Sequence, residues 1–182
     1  NNVRLQQENH LIRAKTLLIQ GVYPKALEFA QKALKLSEQL NNKELISDCY
    51  SVIGQIYERQ QNNQQAAAYH LKGLKLNRSM GDSVRIATSL SLLGNIYGAT
   101  KQAEKALKSY RESLSYINEK LNPEQVGVAY GNIGYVYYEE GSRIKLSNAT
   151  KAKRYFDQSL EASMKAKQLF EELNNRRFSI IA

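Results

Sequence analysis

The chain has 182 residues, 42% of them hydrophobic, and a formal net charge of +9 at pH 7. This composition is typical of a globular domain of ordinary size. The single cysteine, Cys49, excludes an internal disulfide, and no run of about eighteen apolar residues predicts a membrane-spanning helix. The sequence begins at Asn1 without a signal-like segment, so we expect it to be a piece of a longer or processed chain.

Residues 1–40 predict a pair of antiparallel helices. The first helix spans about 3–19, where apolar residues recur with helical spacing at Leu5, Leu11, Ala14, Leu17 and Leu18. Gly21 ends this helix. Pro24 lies in the first turn of the second helix, over about 24–40, where a missing N–H costs no hydrogen bond.

The following residues repeat one pattern at a distance of forty residues. Three segments read YSVIGQIY from Tyr50, LSLLGNIY from Leu90 and YGNIGYVY from Tyr130. Each has a glycine followed three residues later by a tyrosine, so both lie on one face of a helix. Such self-similarity is typical of a solenoid. The predicted repeats span about 3–40, 43–80, 83–121 and 123–173, with helices over about 43–60, 64–79, 83–99 and 103–120.

Repeat four opens at Asn122-Pro123-Glu124-Gln125, with Asn122 as the predicted cap, but it departs from the pattern after Gly141. The alanine expected near position 146 is missing, and two registers fit. In one, about six residues are inserted and the second helix opens with Ala152, Phe156 and Leu160. In the other, which we favour, about thirteen residues are inserted near 143–155 and Ser159-Leu160-Glu161 replaces Ala26-Leu27-Glu28.

The end of the chain predicts a further repeat. Ser147-Asn148 is a predicted cap for a helix that starts near Ala149. Leu173-Asn174-Asn175 repeats the Leu40-Asn41-Asn42 that follows the second helix of repeat one. Residues 176–182 then match the opening of a first helix, so we predict the start of a fifth repeat and a natural chain that continues.

These units resemble the tetratricopeptide repeat. The segment Gly21-Val22-Tyr23-Pro24-Lys25-Ala26-Leu27 is similar to the family's turn, and Gly94…Tyr97…Ala106-Leu107…Tyr110 is similar to the rest of its pattern. The period of forty residues exceeds the usual thirty-four. It is similar to that of bacterial sensor and regulator proteins, kinesin light chains and spindle-orientation adaptors. The resemblance implies an all-α, right-handed α–α superhelix of antiparallel helix pairs.

The resemblance also implies a concave groove, lined by the first helices, that binds an extended peptide or a partner helix. The candidate ligand-binding residues flank the repeated glycines and tyrosines: Lys15, Gln55, Arg59, Ser91, Asn95, Asn132, Tyr135 and Tyr138. Further positions on this face are Glu8, Asp48, Ser51, Thr88 and Glu139. Asn95 and Asn132 resemble the asparagines with which long-period members hold a peptide backbone, because an amide both donates and accepts. The alternative is that these residues are solvated side chains on helix surfaces.

The sequence predicts neither an enzyme nor a metal or cofactor site. His10 and His70 are far apart in the sequence, Cys49 has no histidine near it, and no phosphate-binding loop follows a strand. We therefore expect no catalytic residues, no metal and no cofactor.

These observations favour a protein- or peptide-binding module that is the sensory or regulatory segment of a larger bacterial signal-transduction or transcription-regulating protein. One alternative is a peptide-pheromone receptor-type regulator. Another is a basic scaffold that contacts nucleic acid or an acidic partner through residues 143–154, which hold five basic residues and no acidic one. Nucleic acid is disfavoured because the other positive charges are spread along the chain. The expected compartment is the cytoplasm, with a periplasmic sensor segment as the alternative, and homo-oligomerisation stays open.

Overall fold

The computed structural model describes the backbone of residues 2–181 and the side chains of residues 2–174. This part of the chain forms helices and no strand. In order they are α1 (Asn2–Ile19), α2 (Tyr23–Gln39), α3 (Lys43–Arg59), α4 (Asn63–Met80), α5 (Ser83–Ala99), α6 (Ala103–Ser115), α7 (Pro123–Ile144) and α8 (Ala149–Ile181). Up to Ala99 their bounds coincide with the predicted ones to within a residue. None of the helices in this range has both the length and the apolar content needed to cross a membrane.

The chain divides into two compact units, Asn1–Ser89 and Leu90–Ala182. In the first unit α1 packs on α2, α2 on α3, and α3 on α4. Its core is formed by alanines on α1 and α2 and by larger apolar residues on α3: Ala14, Ala26, Ala30, Ala33, Val52, Ile53 and Ile56.

In the second unit α6 packs on α7, and α7 on α8. Its core has fewer aliphatic and more aromatic residues: Ala106, Tyr110, Ile133, Val136, Tyr137 and Ala162.

The turns between the first helices each contain one residue with left-handed backbone conformation, and these residues are twenty positions apart. Positive φ values occur at Gly21 (76°), Asn41 (48°), Gln61 (60°), Gly81 (69°) and Lys101 (58°). A residue in this conformation reverses the chain at a helix C-terminus, and a side chain there is strained unless the residue is glycine. The chain therefore makes the same tight turn whether or not it supplies a glycine.

The repeated glycines let an aromatic ring from the second helix of each pair lie against the backbone of the first. A Cβ atom on Gly54 would lie 2.4 Å from Cε1 of His70, and one on Gly94 would lie 2.6 Å from Cε1 of Tyr110. Both rings are almost fully buried, His70 at 2% and Tyr110 at 3% exposure. Glycine is required at these two positions because no other residue leaves room for the ring.

Helix α6 ends at Ser115, five residues before its predicted end at 120. The side-chain oxygen of Asn118 accepts hydrogen bonds from the backbone N–H groups of Lys120 and Leu121. This local turn replaces the last helical turns. Asn122 occupies the N-cap position of α7 as predicted, although its side chain accepts no hydrogen bond from the helix.

The insertion in repeat four lengthens both helices of the pair. Helix α8 starts at Ala149, as the predicted Ser147-Asn148 cap requires. Ala152, which opens the helix in the six-residue register, is buried, and its N–H donates to the carbonyl of Asn148. A Cβ on Gly134 would lie 2.7 Å from Oγ of Ser163, which is the pairing that the thirteen-residue register gives. The two registers differ by seven residues, about two helical turns, so one helix satisfies both.

Helix α8 continues without a break from Ala149 to Ile181. The turn expected at Leu173-Asn174-Asn175 is therefore absent, because none of these residues prevents helix formation. The side chains from residue 175 onward and the whole of Ala182 lie outside the described residues. The start of a fifth repeat at 176–182 stays a prediction.

Candidate functional site

Two asparagines that the sequence places thirty-seven residues apart are joined in the second unit. The Asn95 side chain, on α5, accepts two hydrogen bonds through Oδ1: one from the Tyr110 hydroxyl at 2.7 Å and one from Nδ2 of Asn132, on α7, at 3.2 Å. Tyr110 is held in place because its ring lies against Gly94. The glycine, the tyrosine and the two asparagines therefore fix the orientation of both amide groups.

This arrangement leaves a donor and an acceptor unused. Among the described residues, Nδ2 of Asn95 and Oδ1 of Asn132 have no hydrogen-bond partner, and both side chains are half-buried. A peptide unit presents one N–H and one C=O, which this pair of groups complements. The site can therefore hold a backbone amide without rearranging its internal hydrogen bonds.

The asparagine pair opens into a cavity of about 720 Å³. Small residues of α5 and α6 form part of its wall: Gly98, Ala99 and Ala103. Helix α7 contributes a longer row: Asn132, Tyr135, Val136, Glu139, Glu140, Ser142 and Arg143. Lys101, on the turn between α5 and α6, also lines it. The cavity has the volume of a small-ligand or short-peptide site, and most of the side chains that line it are polar or charged.

The far end of the cavity is built by the insertion in repeat four. Helices α1, α3 and α5 end at Ile19, Arg59 and Ala99, while α7 runs five residues past the equivalent position to Ile144. Glu140 and Arg143 lie in this extension and form a two-bonded ion pair, with Arg143 Nη2 at 2.6 Å from Glu140 Oε2. This hydrogen bond raises the pKa of Arg143.

The match with family sequence models follows the same repeats. Two models described as "Tetratricopeptide repeat" match residues 8–79 and 87–120, which together make up more than half of the chain. The chain belongs to the tetratricopeptide repeat family. The prediction made from the glycine–tyrosine spacing is thereby confirmed.

Solved structures with a similar fold agree with this assignment. The chain is similar to BtubC (BKLC) from P. vanneervenii, with a TM-score of 0.74 and 19% identity over 92% of this chain and 64% of that chain. It is also similar to the Signal Transduction ATPase with Numerous Domains (STAND) protein with a tetratricopeptide repeat sensor from Pyrococcus horikoshii. That match has a TM-score of 0.70 and 20% identity over 96% of this chain and 25% of that chain. The chain is similar to the apo form of RapI as well, with a TM-score of 0.60 and 18% identity over 87% of this chain and 68% of that chain.

At these identities the likeness establishes the fold, and it confirms the predicted all-α class of helix-pair superhelix. This chain spans less than two thirds of the length of the first two proteins. A comparison with curated proteins gives no match. The tetratricopeptide repeat is a protein-interaction fold, so the chain is a protein-interaction module.

Three of the predicted ligand residues line the cavity of this tetratricopeptide module: Asn95, Asn132 and Tyr135. Tyr135 is 64% exposed, so its ring is available to a partner. Glu139, from the wider set of groove positions, lines the cavity as well.

Tyr138 and Ser91 have other contacts. The Tyr138 ring lies 5.9 Å from the ring of Phe156, so it packs α7 against α8 although it is 53% exposed. The Ser91 hydroxyl lies 2.9 Å from that of Ser113 and joins α5 to α6. Neither residue lines the cavity, because each side chain points toward the second helix of its own pair.

Lys15, Gln55 and Arg59 belong to the first unit and are not among the cavity's lining residues. Lys15 and Arg59 are exposed. Gln55 Nε2 lies 3.4 Å from Oγ of Ser51, one turn earlier on α3. Their role as ligand residues stays a prediction.

Sequence reasoning missed the residues that support or enclose the asparagine pair. Tyr110 follows Gly94 by sixteen residues, as His70 follows Gly54, and this repeated spacing was the available signal. The ion pair of Glu140 with Arg143 lies in the extension of α7, and the spacing of three residues between an acidic and a basic side chain on a helix was the available signal.

The basic side chains of segment 143–154 are exposed, but part of their charge is engaged. Arg143 is bound to Glu140, and the Lys151 ammonium lies 5.6 Å from the centre of the Tyr155 ring. Within residues 2–174, no three His, Cys, Asp or Glu side chains come together in a way that would hold a metal ion.

Proposed function

We propose that this chain binds an extended peptide segment of a partner protein in the cavity between α5 and α7. The observation that carries the proposal is the asparagine pair with its unused donor and acceptor. Asn95 donates through Nδ2 to a peptide carbonyl, and Asn132 accepts through Oδ1 from the neighbouring peptide N–H. Both groups are half-buried, so a bound peptide forms these hydrogen bonds partly shielded from water.

The two hydrogen bonds to the peptide contribute to affinity because the amide groups of Asn95 and Asn132 are already oriented. A neutral hydrogen bond contributes about 0.5–1.5 kcal/mol when it replaces bonds to water. Side chains that are already oriented lose less conformational entropy on binding. In this site Tyr110 holds Asn95, and Asn95 holds Asn132, so the amide groups are oriented before the peptide arrives.

We further propose that the module is the sensory or regulatory segment of a larger bacterial signal-transduction or transcription-regulating protein. Support comes from the likeness to the STAND protein, whose tetratricopeptide repeats are described as a sensor, and of whose chain this module spans only 25%. A peptide-pheromone receptor-type regulator would use the same cavity. It differs in having a free short peptide as the ligand instead of a segment of a partner protein.

The test uses Asn95→Asp in the full 182-residue chain. Aspartate keeps the oxygen that accepts from Tyr110 and Asn132 but replaces the free donor with a second acceptor, which repels a peptide carbonyl. Linear peptides are first selected from a random phage-displayed library on the immobilised wild-type chain. The enriched peptide is then synthesised with a fluorescein label and titrated by fluorescence polarisation. We expect the variant to bind at least about tenfold more weakly, since a lost hydrogen bond and a repulsion together exceed about 1.4 kcal/mol.

Asn9→Asp is the matched control, because it makes the same chemical change on an exposed position of α1. Circular dichroism of both variants reports whether the helices are intact. Equal peptide affinity of the wild type and Asn95→Asp would refute the proposed binding mode. Failure to enrich any peptide above an unrelated immobilised protein would refute the peptide-binding function itself.

A further inference from the structure

Beyond the asparagine pair, one stripe of α7 offers an unpaired negative charge. Asn132, Tyr135 and Glu139 follow one another at intervals of three and four residues, so they lie on one face of the helix, and all three line the cavity. Glu140 is bound to Arg143 and is neutralised by it. Glu139 is exposed and has no ion-pair partner within residues 2–174. It is therefore the carboxylate that a ligand can use.

The ring of Tyr135 is also free. It is 64% exposed, and no aromatic ring or cation lies against it among the described contacts. Other tyrosines of the chain are covered by cations: the Lys72 ammonium lies 4.7 Å from the centre of the Tyr69 ring, and that of Lys105 lies 5.6 Å from Tyr97. The electron-rich face of an aromatic ring attracts a cation, more strongly where water is partly excluded.

We propose, on the basis of the peptide-binding function above, that the peptide carries a lysine or arginine whose side chain lies between Tyr135 and Glu139. The ring attracts the cation through its face, and the carboxylate one turn later pairs with its charge. A long aliphatic stem followed by a charged head also suits a cavity that has small apolar residues of α5 and α6 on one side and charged residues at its far end.

The spacing of the two binding features limits where this residue lies in the peptide. Asn132 and Glu139 are seven residues apart on α7, which corresponds to about 10 Å along the helix axis. An extended peptide advances about 3.3 Å per residue. Because the cation lies between Tyr135 and Glu139, the basic residue is about two to three residues from the peptide unit held by the asparagines.

Lys101 favours the alternative ligand, a peptide with an acidic side chain. It lines the same cavity and has no ion-pair partner in the described part of the chain, so it would attract an acidic side chain. The net charge of +9 favours acidic ligands at long range as well. The stripe on α7 differs because it combines the unpaired charge with an open aromatic ring, which an acidic side chain cannot use.

The experiment repeats the phage selection on three forms of the full chain: wild type, Glu139→Gln and Glu139→Lys. With the wild type, we expect lysine or arginine to be enriched at one fixed position of the peptides. With Glu139→Lys, we expect aspartate or glutamate at that position. The labelled wild-type peptide should bind Glu139→Gln about three- to tenfold more weakly, and added salt should reduce this difference. Tyr135→Leu should also weaken binding, and Tyr135→Phe should do so less.

Glu104→Gln is the control for charge, since it removes one carboxylate from α6 at a position that does not line the cavity. An unchanged preference between the wild type and Glu139→Lys, or acidic residues enriched by the wild type, would overturn the inference while leaving peptide binding in place. Peptides that bind the wild type but are insensitive to Asn95→Asp would refute the asparagine contact, and with it the spacing between that contact and the basic residue. No enrichment at all would overturn both proposals.

Discussion

The stability of the first unit should fall steeply below neutral pH because of one buried histidine. His70 is 2% exposed, its ring lies against Gly54, and Nε2 has no hydrogen-bond partner within the structure's described residues. Burial lowers the pKa of His70 from 6.5 to about 4. The folded state therefore resists taking up the proton that the unfolded state binds freely.

The sign and size of the effect follow from this difference. Since the folded pKa lies below the unfolded one, the stabilisation is fully present above about pH 6.5 and is lost as the pH falls toward about 4. Each unit of pKa difference corresponds to about 1.4 kcal/mol. Between pH 7 and pH 5, His70 alone should lower the free energy of unfolding by about 2 kcal/mol, because at pH 5 most of the unfolded and little of the folded state is protonated.

His70→Tyr removes the contribution of the His70 protonation to stability. Tyr110, in the next repeat, shows that a tyrosine is compatible with this position. Tyr110 occupies the same position relative to Gly94 that His70 occupies relative to Gly54, so a tyrosine ring fits against a helix glycine in this fold. Urea denaturation followed by circular dichroism at both pH values gives the loss of stability for each protein. The wild type should lose about 2 kcal/mol more than the variant on going from pH 7 to pH 5.

The comparison cancels the other titrating groups, including Glu58, whose pKa is raised by burial. Parallel losses in the wild type and the variant would refute the reasoning. An NMR titration of the His70 ring provides a second measurement: its signals should stay constant down to about pH 5. A midpoint near 6.5 would show that the ring is not held away from water.

Four further predictions concern stability. Gly94→Ala should destabilise the chain by about 1–2 kcal/mol in thermal unfolding, since the added Cβ would lie 2.6 Å from the Tyr110 ring. Gly131→Ala should stabilise it by about 1 kcal/mol in the same measurement, because no atom lies within 4 Å of the added Cβ and alanine favours a helix. Gln61→Gly should stabilise by about 1 kcal/mol in urea denaturation, because Gln61 has φ 60°; an unchanged midpoint would show that the turn is not strained. Asn77→Ala should lower the free energy of unfolding by about 3 kcal/mol, because it removes hydrogen bonds to Ser47, to Ser89 and to the backbone carbonyl of Arg85. A decrease below about 1 kcal/mol would contradict this prediction.

The repeat pattern was sufficient to predict most of the helices. Helix ends follow from local chemistry that is visible in the sequence: Asp82 accepts from the N–H of Arg85, and Asn148 from that of Lys151. The predicted end of α6 was five residues too late, because the side chain of Asn118 accepts backbone hydrogen bonds in a turn that replaces the last helical turns. The sequence of Leu173-Asn174-Asn175 matches a turn in repeat one, but no left-handed residue stops the helix there.

The sequence by itself determined the fold, because a glycine and a tyrosine repeated every forty residues predict paired helices that can bury their apolar faces only against neighbours. It also identified Asn95, Asn132 and Tyr135 as candidates. Only the tertiary structure decided which of the eight candidates lie together, since that depends on contacts between residues far apart in the chain. Asn95 is joined to Asn132 by a hydrogen bond across thirty-seven residues, and it is oriented by a tyrosine that a glycine admits. Ser91 and Tyr138 carry equally suitable polar or aromatic groups, but packing inside their own helix pairs engages them elsewhere.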